Sequence, residues 1–303
     1  MRIGYPCVNE SLTCSAAQTF RLASYSTDRL RTTVAANLVC LRQILEFNVA
    51  HGLLYFRLPS GIVPFGSHAI NQHDWATEFA PQFAELGAFA RKHRMRLALH
   101  PDQFVVLNSP DADIVRRSVE ELVYQGRLLD LMEMDTAAKL QIHAGGVYGD
   151  KPAALDRWVR TWHELLPDAV RRRLVVEPDD RLYSLHDCLE LHRRTGVPLL
   201  LDNLHHECLN HGESLTDAVL AAAATWHPHH DGPPLMDYSE QAPGERRGKH
   251  RASLDEAHFA AFVAALPATV APDVMLEIKD KEASALRAVA VLRAVRALTA
   301  ARA

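Results

Sequence analysis

No stretch of this 303-residue chain stays apolar for the ~18–20 residues that a helix needs to cross a bilayer, which excludes a membrane-spanning helix and leaves no membrane partner to expect. The opening residues, Met1 to Glu10, lack the apolar centre of a signal peptide and read as a first strand. Cysteine is sparse: Cys7, Cys14, Cys40, Cys188 and Cys208 form no CxxC pair. An odd, scattered set of that kind predicts reduced thiols in a cytoplasm rather than disulfides. There is no internal repeat, low-complexity linker or break in composition, so residues 1–303 are expected to form one domain. Excess positive charge is also missing. The net charge is −4, and nucleic-acid binding rests largely on Lys and Arg. Two features weaken that objection. Bound divalent ions would neutralise part of the acidic surplus, and basic residues cluster locally at Arg171-Arg172-Arg173, Arg193-Arg194 and Arg246-Arg247-Gly248-Lys249.

What the chain does have is an ordinary soluble composition, 48% hydrophobic and 23% charged, and an unusual 17 histidines. Short apolar runs alternate with longer amphipathic stretches. The runs are Arg2–Cys7, Leu53–Leu58, Met95–His100, Lys139–His143, Leu174–Glu177, Pro198–Asp202, Leu235–Ser239 and Val274–Ile278. Helix-like segments lie near 28–50, 73–93, 111–133, 151–166, 184–195, 214–226, 253–266 and 281–300. Asp111 and Ser253 read as N-caps, and Gly196 as a helix stop. Eight alternations of strand and helix are the count of a single-domain α/β (β/α)8 TIM barrel. A doubly wound open sheet would normally carry a glycine-rich phosphate loop after its first strand, and none is present.

In such a barrel the chemistry sits at the C-terminal ends of the strands. Those ends are occupied in turn by His100, His143, Glu177, Asp202 with His205 three residues on, Asp237 and Glu277. The loops after the second and seventh strands add His68 and His250. Any one of these has an ordinary explanation, as a hydrogen-bonded loop histidine or a carboxylate paired with arginine. Together they bring many polar groups to the ends of apolar strands, which is costly unless a shared partner satisfies them. Divalent cations bind imidazole and carboxylate directly, and the number of ligands exceeds what one ion coordinates. Two or three ions are therefore expected. Such clusters suit phosphoryl transfer, but sugar isomerases and epimerases use similar sets on the same barrel, and spacing does not separate the two.

A wider set of segments does. Gly4-Tyr5, Arg57-Leu58-Pro59-Ser60, Pro64 to His68, His100 to Phe104, His143 to Lys151, Glu177, Asp202 to His206 and Glu277 to Glu282 occur in an order that resembles the UV damage endonuclease family, related to endonuclease IV-type barrels. The resemblance implies a DNA-repair endonuclease acting on damaged double-stranded DNA, with no obligate protein partner. It implies nicking immediately 5′ to pyrimidine dimers, 6-4 photoproducts and some abasic sites, with manganese as the expected ion and zinc or magnesium as alternatives. It places metal ligands at His68, His100, His143, Glu177, Asp202, His205, His250 and Glu277, with Glu177 bridging two ions. Glu177, His100, His143 and Glu277 are expected to carry catalysis. Gln103 and Phe104 match the pair that wedges into the duplex beside the lesion, with Phe104 keeping a stacking face where tyrosine is more familiar. The seventh strand departs from the pattern. Where a lysine and, two residues later, a histidine are expected, the chain has Leu235 and Asp237. Asp237 still offers a hard-cation ligand, so the departure bears on the third ion more than on the fold. A damaged-DNA-binding protein without cleavage is the remaining alternative.

Overall fold

The computed structural model describes residues 1–297 with their side chains, and the backbone of the last helix to residue 300. The end of the expected 1–303 domain lies outside the described residues. Eight parallel strands form one sheet: β1 (Ile3–Pro6), β2 (Tyr55–Leu58), β3 (Arg96–Leu99), β4 (Lys139–His143), β5 (Leu174–Glu177), β6 (Leu201–Asp202), β7 (Leu235–Tyr238) and β8 (Asp273–Leu276). Their order runs β5-β4-β3-β2-β1-β8-β7-β6. The two ends meet through a single parallel bridge between Val176 and Leu199. There the Val176 N–H donates to the Pro198 carbonyl at 3.0 Å and the Leu200 N–H to the Val176 carbonyl at 3.0 Å. The barrel is closed, with a thin seam between β5 and β6.

Each strand is followed by a helix, in order Thr27–His51, Ala80–Lys92, Ala112–Leu131, Lys151–Glu164, Leu185–Thr195, Leu215–Ala223, Glu256–Ala265 and Glu282–Ala300. The ends are set by local chemistry. Asp111 caps the third of these by accepting from the N–H groups of Asp113 and Ile114, and Gly196 closes the fifth at φ +79°. Ser253 does not cap the seventh. Asp255, two residues on, accepts from Ala257 and His258, while the Ser253 hydroxyl donates to Asp280 instead.

Side chains alternate along each strand, and this divides the core in two. The larger part lies between strands and helices. A separate cluster of Tyr55, Ala98, Val175, Leu200, Trp226, Leu235 and Met275 fills the barrel interior. Below it, at the N-terminal ends of the strands, Asp273 pairs with Arg2 at 2.7 Å and Arg96 at 3.1 Å, and Lys139 pairs with Asp231 at 2.5 Å. β1 lies so close to β2 that a Cβ at Gly4 would stand 2.3 Å from the Tyr55 carbonyl oxygen.

The reading of all five cysteines as reduced thiols is corrected. Cys14, in the loop after β1, is bonded to Cys40 in the middle of the first long helix, with Cα atoms 5.7 Å apart. The fold brings together two residues whose spacing matches no motif. Cys7, Cys188 and Cys208 remain free. Among the described residues no helix is long and apolar enough to cross a membrane.

Candidate metal centre

The site is the next layer up from the apolar interior. Moving two residues along each strand from an interior residue leads from Tyr55 to Arg57, Ala98 to His100, Val175 to Glu177, Leu200 to Asp202, Leu235 to Asp237 and Met275 to Glu277. The two-residue period sends both members of each pair inward, so the strands that build the core also deliver the polar groups. β4 adds Gln141 and His143 in the same way.

Glu177 is at the centre, nearly fully buried. One of its oxygens lies 3.8 Å from His100 Nε2 and 3.5 Å from His143 Nε2, and the other 2.9 Å from His205 Nδ1. Gln141 Nε2 donates to Glu177 at 2.6 Å and to Asp237 at 2.7 Å. The Arg57 guanidinium, 3% exposed, donates to Asp237 at 2.6 Å, to the Gln141 carbonyl oxygen at 2.7 Å and to Glu277. Asp202 uses one oxygen to cap the short helix Asn203–Cys208, accepting from Leu204 and His205, and the other to accept from Ser239 Oγ at 2.7 Å.

The electrostatics show a surplus of buried negative charge. Burial lifts Asp237 well above the usual carboxylate range despite Arg57, and the charges of Glu277 and Glu177 add to the lift. Burial pushes Glu177 up as well, but His143, His205 and His100 outweigh it and hold the carboxyl far below its usual range. His205 is lowered by burial and raised more strongly by Asp202 and Glu177, to about 11. His100 is pushed down to about 4 by burial and by Arg57. His100 is thus neutral with a lone pair to offer, and without a metal His205 holds a proton among carboxylates.

These residues fit divalent cations. Three overlapping groups each present three ligand atoms within 4.8 Å of one another: His100, His143 and Glu177; Glu177, Asp202 and His205; Asp202, Asp237 and Glu277. Glu177 belongs to the first two and Asp202 to the last two. Two atoms each ~2.1 Å from one ion lie roughly 3 to 4 Å apart, which is the spacing of His100 and His143 from Glu177. Asp237 Oδ1 is buried with no hydrogen-bond partner, which a buried acceptor rarely tolerates.

Two expected ligands stand outside these groups. His250 is at the rim, its Nδ1 3.6 Å from Glu277. His68 is exposed, and its Nδ1 accepts from the Ile70 N–H at 3.0 Å. Leu235 is 1% exposed within the apolar interior. Phe104 is 75% exposed, so it is not a core aromatic. With Gln103 and Tyr148 it lines a cavity of about 730 Å³ over β2–β4. The nearby turn after His143 needs its glycine: Gly145 has φ +102°, and a Cβ there would meet Asn108 Oδ1 at 2.3 Å. Sequence reasoning assigned no role to Arg57 or Gln141. Each lies on an inward position of its strand, which only the closed barrel reveals.

The family model described as UV-endonuclease UvdE matches residues 1–302. The chain belongs to this family. The UV DNA damage endonuclease of Clostridium perfringens is 32% identical over 296 residues, covering 97% of this chain and 71% of that protein. A putative UV-damage endonuclease of Acanthamoeba polyphaga mimivirus is 31% identical over 297 residues, covering 95% of this chain and 90% of that protein. The crystal structure of SacUVDE superposes with a TM-score of 0.93 at 41% identity, covering 98% of this chain and 99% of that one. D-Psicose 3-epimerase from Clostridium cellulolyticum H10 reaches a TM-score of 0.57 at 14% identity, with 98% of each chain covered. That likeness is one of fold alone. Membership of the UV-endonuclease family makes this a DNA-cleaving repair enzyme rather than a sugar epimerase.

Proposed function

We propose that this UV endonuclease nicks damaged double-stranded DNA immediately 5′ to pyrimidine dimers, 6-4 photoproducts and some abasic sites, using two or three divalent cations, with manganese expected and zinc or magnesium as alternatives. The observation that carries this reading is the chain of three ligand groups, joined through Glu177 and Asp202, at the barrel mouth. When bound, the cations would supply a water of lowered pKa and positive charge on the oxygens of the cleaved phosphate.

The protein's own part is mostly orientation. Arg57 and Gln141 fix Asp237, Glu277 and Glu177, leaving Asp237 Oδ1 free to face a cation. Ser239 and the short helix after β6 fix both oxygens of Asp202. Damaged bases stack poorly, so extruding them costs less than extruding normal ones. The exposed Phe104 and Gln103 would fill the vacated space, and the adjoining cavity, with Tyr148, Val105, Val106 and Ile114 on its walls, suits an extruded base.

The test is nicking of supercoiled plasmid with and without ultraviolet irradiation. Metal-dependent conversion of irradiated plasmid to the open circle is expected, with the break mapping 5′ to the lesion on an end-labelled duplex. A mobility shift without a break would overturn cleavage, and no affinity for irradiated DNA would overturn the whole reading.

A further inference from the structure

Further round the barrel mouth from the Phe104 cavity is a second groove. The first lies over β2–β4. The second, about 580 Å³, is lined by Pro6 at the end of β1, by the loop after β7 and by the segment after β8. Around the eight-stranded barrel the middle strand of this groove, β8, is three strands from β3, so the two recesses lie on different sides of the metal centre. The Phe104 cavity sets Val105, Val106, Ile114 and the ring of Tyr148 beside Asp102, Arg117 and Glu121. The second groove carries Arg246, Lys249, Lys279 and Lys281 against Glu245 and Glu277. Lys249 pairs with Glu245 at 2.7 Å, and Glu277 is held by Arg57. Arg246, Lys279 and Lys281 make no direct ion pair among the described residues, although Glu245 is near enough to Lys279 and Arg246 to feel their charge and Glu277 belongs to a ligand group of the centre. The first recess offers an exposed aromatic, and the second offers the larger number of cations.

We infer that the groove over β7, β8 and β1 holds the backbone of the damaged strand on the 5′ side of the cleaved phosphate. This rests on the proposed function. If the lesion occupies the Phe104 side and the break falls 5′ to it, the strand must run from the Phe104 cavity, across the metals, and leave over Lys279 and Lys281. The groove therefore retains the product end that carries the new 3′-hydroxyl, and it fixes which direction the strand takes across the barrel.

The test combines charge removal on both partners. Duplexes carrying one site-specific dimer are made with neutral methylphosphonate linkages at three positions 5′ of the break, or at three positions 3′ of the lesion. For wild type and for Lys279→Gln with Lys281→Gln, kcat/KM is read against salt. Each neutralised contact contributes roughly 0.9 to the log–log slope, so the double variant should lose roughly 1.8 on the unmodified duplex. Its penalty from the 5′ methylphosphonates should shrink at least ~3-fold relative to wild type, and the penalty from the 3′ set should not change. Arg246→Gln, on the other wall, should shrink the same 5′ penalty and guards against a local disturbance at Lys281, and melting temperatures check folding of each variant. A double variant that keeps the full 5′ penalty, or loses the 3′ penalty instead, overturns the groove assignment. A wild-type enzyme that leaves the unmodified dimer duplex uncut overturns the proposed function instead.

Discussion

At the scale of single residues, the histidines and carboxylates that meet at the barrel mouth were legible because most of them stand at or next to the end of an apolar strand, where a buried polar group calls for an explanation. Arg57 and Gln141 were harder to read. An arginine or glutamine within a strand is ordinarily an edge or surface residue, and only barrel closure turns both inward. The two assignments most open to a direct test are Glu177 and the Gln103–Phe104 pair. Glu177→Gln keeps the shape and the Gln141 contact but cannot share a charge between two cations. Nicking should fall at least ~10³-fold, the scale of losing a major electrostatic contribution, and bound metal per chain should fall with it. Near-normal nicking in saturating manganese would remove Glu177 from the bridging role. For Gln103→Ala with Phe104→Ala, the 75% exposure of Phe104 sets the expectation. A core phenylalanine costs ~3–5 kcal/mol on truncation, whereas this pair should leave the melting temperature nearly unchanged. Affinity for damaged duplex should drop about tenfold, from stacking worth ~1–3 kcal/mol per base. An equal loss on undamaged duplex would show that the loop does not read the lesion.

At the scale of elements, the eight strands and helices follow the hydrophobic pattern closely. β4 and β5 coincide with the expected runs, the expected strand Pro198–Asp202 shortens to Leu201–Asp202, and the expected helix over 73–93 is two, Trp75–Glu78 and Ala80–Lys92, with Pro81 in the first turn of the second. Ser253 and Asp255 are both good caps by type, and the outcome turned on Asp280, which takes the serine hydroxyl. β7 is the informative departure. Leu235 completes the apolar interior and Asp237, two residues on, faces Arg57. The strand thus brings to the centre an aspartate anchored by a guanidinium, and its first inward position contributes only packing. Leu235→Lys should therefore lower stability by at least ~2 kcal/mol through burial of an unpaired polar group, and metal content should not rise. Chemical denaturation beside metal analysis checks both, and a stable variant with an additional ion would show that the strand can still host a lysine-dependent site.

At the scale of the whole molecule, the net charge of −4 argued weakly against DNA because it averages over a divided surface. The centre concentrates carboxylates, while the groove beside it carries more cations than carboxylates. Neither the division nor the Cys14–Cys40 bond is visible before the chain is folded. The thin closure between β5 and β6 has its own consequence. Glu177 belongs to β5, whereas Asp202 and His205 follow from β6, so the middle ligand group straddles the one place where the cylinder is joined by a single bridge. A cation held there acts as a hasp across that join, and the empty barrel should breathe by parting along it. Because such a ligand binds only the closed form, it stabilises that form by mass action, and the gain should be local before it is global. Amide exchange at Val176 and Leu200, the two N–H groups that span the join, should slow on adding manganese by more than exchange within the β1–β2 pair. Equal slowing at both places would mean that the metal tightens the barrel as a whole and that the join is no weaker than the rest.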